Sequence, residues 1–290
     1  MSGTTISPLQ TYLADKANET KLAAAASQAN AQQNNLITHF QANAAGIKSP
    51  ASLMKDYKAL SLVLGAFGLG NLINATALVK QLMTQDPEDN QSVAHRTGNA
   101  KYIAFAKAMS VWNPPPFATA ASRAAIITSF QKNAFEAAAD TQTPGMQKAL
   151  YFTRTAGSIK SLTQLQSDAD LLAVAVTGVG VPYAAFVNLS FEKQTALLKQ
   201  KINIADLQKP KYVTHLAEMY LVQQQLSAST THATPTVHPG SLVSLFSPYA
   251  QSDGNGVLTI LLQQESASSG NTASLLGSNT GSSNLLSLFA

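Results

Sequence analysis

Few residues in this chain have the types and spacing that chemistry requires. The glycine-rich stretch GAFGLGN at 65–71 invites a phosphate-loop reading. Its order is wrong for G-x-G-x-x-G, and it stands between two helical patterns with no strand before it. No G-x-x-x-x-G-K followed by Ser or Thr occurs. The acidic turn DPEDN at 86–90 lacks the glycine and closing glutamate of a calcium loop. The five histidines are His39, His95, His215, His232 and His238. Only the last two are neighbours, in a Pro-containing segment, whereas a metal site needs two or three ligands on rigid elements. Asp168 and Asp170 stand two residues apart and cannot share a helix face. Asp170 reads as an N-cap or first-turn carboxylate. Arg154, just after Tyr151 and Phe152, is the most interesting single charge. It reads as a snorkelling side chain or a local ion pair, with anion binding as the sharper alternative. There are no cysteines, which excludes disulfides, thiolate metal sites and cysteine nucleophiles. The expectation is a chain that is not an enzyme, with no catalytic residues, no cofactor and no metal.

The elements that would have to position such residues are helical. The chain has 290 residues, 45% apolar and only 12% charged, so it can bury a sizeable core beneath a polar but weakly charged surface. That surface suits packing against copies of itself or other subunits. The net charge is +4, but the lysines are scattered singly or in loose pairs. No dense basic face of the kind nucleic acid requires is expected. The longest uncharged apolar run, 171–187, is interrupted by Gly178, Gly180 and Pro182, which argues against a membrane span. The N-terminus has no basic segment followed by an apolar run, so a cleaved secretory signal is not expected.

Residues 5–45 read as one long polar helix, started by Ser7 and Pro8. Residues 46–69 read as a complete helical unit. Ser49 caps it, Pro50 opens it, and Leu53, Tyr57, Leu60, Leu64 and Phe67 form one apolar stripe. Gly68 and Gly70 stop it, and Asn71 starts another helix. Further helices are expected at 92–96 and 101–109. The run Pro114-Pro115-Pro116 breaks the chain, and 119–140 is again helical.

The unit at 46–69 recurs at 158–181. Phe40, Ile47, Lys48, Ser49, Leu53, Asp56, Leu60 and Gly68 match Phe152, Ile159, Lys160, Ser161, Leu165, Asp168, Leu172 and Gly180, each pair 112 residues apart. With small shifts, LVKQLM at 78–83 meets LLKQKI at 197–202, and KYIAFAKAM at 101–109 meets KYVTHLAEM at 211–219. We read a duplicated unit, about 36–110 and 148–222, with the helix at 119–140 bridging the copies. Each stripe is incomplete alone, so the copies are expected to share one core.

After about Gln225 the composition turns to Ser, Thr, Gly and Asn, as in disordered tails. Three apolar islands interrupt it, at 241–246, 257–262 and 284–290. The bland reading is a solvated linker. The sharper reading is a set of docking motifs that bind protein partners through Leu242, Leu245, Phe246, Leu285, Leu286, Leu288 and Phe289. The expected fold is therefore an all-α multihelical bundle with an internal duplication. It divides into an extended N-terminal helix (1–35), the duplicated core (36–225) and a largely disordered tail (226–290).

The motifs DYKALSLVLGAFGLGNL at 56–72, NAKYIAFAKAM at 99–109, ALYFTRTAGSIKS at 149–161 and KINIADLQKPKYVTHLAEMYL at 201–221 carry a family resemblance. They resemble the alphaproteobacterial family called domain of unknown function 1217, over about residues 30–222. Genes of that family typically lie in flagellar clusters and are often labelled flagellar basal-body rod proteins. No functional residue is established for the family. The resemblance implies an all-α fold and a flagellar association. The expected function is a non-enzymatic structural or assembly protein of the bacterial flagellum, bound to flagellar components or to itself. The alternative is a cytoplasmic regulatory or chaperone-like module that recruits a partner through its tail. In either case no nucleic acid and no membrane span is expected, and the location is at the flagellum or in the cytoplasm.

Overall fold

The computed structural model describes residues 7–230, and every regular element in that range is helical. Helix α1 (Pro8–Ala29) opens with a reciprocal capping box between Ser7 and Gln10. The expected single helix over 5–45 is two. Asn30 leaves the helical region of the backbone, and its side chain accepts from the Gln33 N–H, starting α2 (Ala31–Asn43). An asparagine can offer the backbone that alternative where the surrounding alanines and glutamines cannot.

The unit at 46–69 is likewise two helices, α3 (Pro50–Lys55) and α4 (Tyr57–Ala66). Ser49 caps α3 with Pro50 in the first turn, as the sequence indicates. Asp56 then ends α3 and caps α4 by accepting from the Ala59 N–H. This break turns Tyr57 outward, 65% exposed, while Leu53, Leu60 and Leu64 stay buried. Residues 70–72 form only a 3₁₀ turn, so the next helix starts later than expected, as α5 (Thr76–Thr84). Two shorter helices, α6 (Val93–Thr97) and α7 (Ala100–Met109), complete the first half.

The second half begins with the 23-residue α8 (Ala120–Gln142). It continues through α9 (Met146–Thr155), α10 (Leu162–Ser167), α11 (Ala169–Gly178), α12 (Tyr183–Val187), α13 (Phe191–Lys201) and α14 (Pro210–Thr230). The duplication is visible residue by residue. Phe40 and Phe152 are both fully buried, as are Leu53 and Leu165. Ser49 and Ser161 cap α3 and α10; Asp56 and Asp168 cap α4 and α11. Gly68 and Gly180 take φ of 67° and 82°, in the left-handed region that ends each helix at little cost only for glycine.

Two expectations about the duplication are corrected. Helix α8 is more than a bridge. Its cap, Thr119, lies 112 residues after Ser7, so α8 is the second copy of α1. The copies also do not share one core. One apolar cluster runs from Ile37 to Phe130, and the other joins Tyr12 to Met146–Leu221. The long helices connect them: α8 gives Ile127 and Phe130 to the first cluster and sets Phe135 against the second, while α1 gives Tyr12 to the second. Two clusters form because the connection through 110–119 is long enough for each half to close on its own apolar faces. The long helices then cover the side each half lacks.

The last helices diverge. The sequence identities pair Phe105 with His215, yet Phe105 is buried and His215 exposed. Burial instead pairs Phe105, Ala106 and Met109 with Leu216, Ala217 and Tyr220, one residue further on. The conserved-looking KY…M spacing therefore does not mark equivalent faces. The Ser/Gly/Asn segment and the docking residues expected there, Leu242, Leu245, Phe246, Leu285, Leu286, Leu288 and Phe289, lie outside the described residues. No described helix is long and apolar enough to cross a membrane.

Candidate functional site

The charged residues singled out above converge on the junction between the two halves, where they form two polar joints. The first joint sets the α6–α7 corner against the α10–α11 corner. Ser167 Oγ donates to the Gly98 carbonyl at 2.6 Å, and Asn99 Nδ2 to the Ser167 carbonyl at 3.4 Å. Lys101 Nζ reaches Asp170 at 2.8 Å, and Lys148 Nζ approaches the same carboxylate at 3.6 Å. Burial pushes Asp170 upward, but the two ammonium groups outweigh it and hold the carboxyl below its ordinary range. Asp170 is thus the first-turn carboxylate the sequence indicates, with an added role across the junction.

Asp168 caps α11 by accepting from the Asp170 and Leu171 N–H groups, and its other oxygen accepts from the Tyr151 hydroxyl at 2.8 Å. Burial, with Asp168 close by, raises the Tyr151 hydroxyl far above its usual range. It therefore serves as a fixed donor. The first half has the same device. His39, 112 residues before Tyr151, directs Nε2 at the Asp56 carboxylate at 2.8 and 2.9 Å. Burial alone would raise Asp56, but the Ala59 N–H and His39 lower it overall. In both copies an aromatic polar side chain grips the carboxylate that starts the next helix.

The second joint contains Arg154. Its Nε and Nη2 fork onto Glu136 of α8 at 2.8–3.0 Å. Nη2 also donates to Asn133 Oδ1 at 2.7 Å. Asn133 Nδ2 in turn donates to the Gly65 and Ala66 carbonyls at 2.9 and 2.8 Å, closing the C-terminus of α4. One chain of contacts therefore links α9, α8 and α4. Glu136 is buried, and so is the nearby Glu19 Oε1 of α1. Burial pushes the Glu136 carboxyl up to about 8, against the pull of Arg154 and with Glu19 adding to the rise. Lys132 balances Glu19 from 3.5 Å. Arg154 is thus a local ion pair, one of the roles its sequence context suggested.

Between the joints lies a cleft of about 220 Å³. Phe67, Lys101, Ala104, Asn133, Tyr151 and Arg154 are among the residues that line it. Lys101 Nζ and the Arg154 guanidinium carbon lie 4.7 and 5.5 Å from the centre of the Tyr151 ring. Among the described residues no cluster of three or more His, Cys, Asp or Glu could hold a metal ion. Sequence reasoning found Arg154, Asp168 and Asp170 but missed Lys101, Asn133 and Glu136. Lys101 and Asp170 are 69 residues apart, and no local pattern signals such a pair. The His39–Asp56 and Tyr151–Asp168 contacts did leave a signal, since all four residues obey the spacing of the repeat.

A family model described as protein of unknown function, DUF1217, matches residues 66–213, from the end of α4 into α14. The chain belongs to this family. The match takes in the first joint, the cleft and the Arg154, Glu136 and Asn133 part of the second joint, and it agrees with the resemblance seen in the sequence. A crystal structure of a protein from Agrobacterium tumefaciens is similar, with a TM-score of 0.66 at 24% identity. The similarity covers 75% of this chain and 92% of that one, and it establishes the shared fold. None of the curated proteins matches the sequence.

Proposed function

We propose that this chain is a non-enzymatic structural or assembly protein that works through protein–protein contacts at the bacterial flagellum. Support comes from how the fold uses the residues that could do chemistry. Asp56 and Asp168 start helices, Gly68 and Gly180 end them, Lys101 with Asp170 and Asn133 with the end of α4 join the two halves, and Arg154 with Glu136 ties α9 to α8. Groups so engaged are braced against other parts of the chain, as suits a rigid scaffold. The flagellar setting rests on the resemblance and on the gene neighbourhoods typical of the family. The contacts are assigned to the N-terminal helix and to the apolar islands around Leu242, Leu245, Phe246, Leu285, Leu286, Leu288 and Phe289.

The test is a gene deletion in the source bacterium, scored for swimming and filament assembly, with the tagged protein followed through purified basal bodies. Loss of motility and recovery with basal bodies are expected. A deletion strain that swims and builds filaments normally refutes the flagellar role. Purely cytoplasmic recovery with a co-purifying partner favours the regulatory module instead. For the islands, a chain ending after Thr230 keeps α14 whole, and it should lose partners that the full chain captures.

A further inference from the structure

We propose that the cleft between the two joints is a binding site for a small organic carboxylate, with an apolar body about the size of an amino acid. The inference is independent of the flagellar reading. Three features of the cleft carry it.

The first is unused donor capacity. Arg154 commits Nε and Nη2 to Glu136 and Asn133, and its Nη1 makes no hydrogen bond among the described residues. Its side chain keeps 30% of its surface exposed, and it lines the cleft. Lys101 Nζ gives one hydrogen bond, to Asp170, and has two further protons. Both cations lie near the Tyr151 ring, and all three side chains line the cleft.

The second is the charge balance. Lys101, Lys148 and Arg154 meet Asp170, Asp168 and Glu136 here. Asp168 is almost fully buried and directed at the α11 N–H groups and the Tyr151 hydroxyl. Lys101 and Lys148 share the single Asp170. Burial and the neighbouring Glu19 oppose full ionisation of Glu136, which weakens its ion pair with Arg154. An added anion facing the guanidinium offsets that weakening.

The third is shape. The planar edge of a guanidinium matches the two oxygens of a carboxylate. The Phe67 and Ala104 side chains give the cleft apolar lining. At about 220 Å³ the space is smaller than drug-sized pockets of roughly 300–1,000 Å³, which limits the ligand to a short body. A phosphate would use the cations and leave the apolar lining empty.

The probe is phenylacetate, titrated into the full-length protein and followed by calorimetry and thermal shift. Phenylacetamide serves as its neutral analogue and inorganic phosphate as the anion control. Phenylacetate should saturate below about 10 mM, at least about tenfold tighter than either control. Arg154→Lys keeps the charge but loses the fork and should weaken binding about tenfold. Ala104→Trp fills the cleft from an exposed position on α7, and the alanine it replaces makes none of the contacts of either joint. It should abolish binding while the thermal transition stays cooperative, so the test holds even where Arg154→Lys destabilises the fold. The proposal is overturned by an absence of saturable phenylacetate binding, by phosphate binding as well as phenylacetate, or by unchanged binding in folded Ala104→Trp.

Discussion

Gly178→Ala should destabilise the second half of the molecule by about 2 kcal/mol. Gly178 sits at the C-terminal end of α11, where that helix crosses α14. A Cβ built there meets the Leu216 carbonyl oxygen at 2.6 Å, its Cα at 3.0 Å and its carbonyl carbon at 3.1 Å. Ordinary contact begins near 3.4 Å, so α14 would have to retreat by as much as 0.8 Å. The obstacle is backbone and cannot rotate away. Retreat would loosen Val213, Leu216, Ala217 and Tyr220 from the α11 core residues Leu171, Val174 and Ala175. A gap of about 0.5–1 Å forfeits a quarter to a half of each contact's attraction. Overpacking costs about 1–3 kcal/mol, and a backbone obstacle argues for the upper end. The gain in helix propensity from glycine to alanine returns at most about 1 kcal/mol. The net loss of about 2 kcal/mol corresponds to a fall in Tm of roughly 4–8 °C for a body of this size. Urea and thermal unfolding followed by far-UV circular dichroism measure it. Two controls fix the cause. Gly46 has nothing within 4 Å of its built Cβ, and Gly65 faces only the Phe130 ring, at 2.9 Å, which can turn. Gly46→Ala should be near neutral and Gly65→Ala intermediate. If Gly178→Ala unfolds within about 0.5 kcal/mol of wild type, the close crossing of α11 and α14 does not limit stability and the reasoning fails.

The carboxyl of Glu136 predicts a pH dependence. Its folded value, about 8, lies above the ordinary 4.5, so the folded chain holds the proton more tightly. The resulting stabilisation is full below about 4.5 and is lost as pH rises through about 8. Urea midpoints should therefore fall between about pH 5 and about pH 8, and Glu136→Gln should flatten that slope; an unchanged slope in the variant would assign the effect to other groups. The twin caps predict a graded pair. Asp168→Ala removes the acceptor for two N–H groups and the Tyr151 hydroxyl and should cost about 2 kcal/mol, whereas Asp168→Asn keeps a capping oxygen and should cost less than half of that. Equal losses in the two variants would show that the charge, not the cap, carries the contact.

Legibility in the sequence followed the range of each interaction. Caps and stops were readable because their physics is local: Ser49 with Pro50, and Gly68 at positive φ, act within one turn of their own positions. The halves were readable because eight residues recur at one spacing, and seven of those pairs serve the same structural role in both copies. The breaks at Asn30 and Asp56 were missed because the apolar period runs across them, and periodicity does not register a side chain that turns back to cap. The repeat's full length was missed because α1 and α8 share little beyond their caps and polar character.

The sequence by itself determined that the chain is helical, where several helices begin and end, and that its middle is a duplicated unit. These are consequences of propensity, capping and period, all properties of neighbouring residues. Only the tertiary structure decided that each half closes its own core, that α1 and α8 join those cores, and that Lys101 meets Asp170 while Arg154 meets Glu136. Those pairings depend on which helix faces approach across the junction, and no short stretch of the chain contains that information. The cleft belongs to the second class. Its lining comes chiefly from α4, α7, α8 and α9, which only the folded chain brings together.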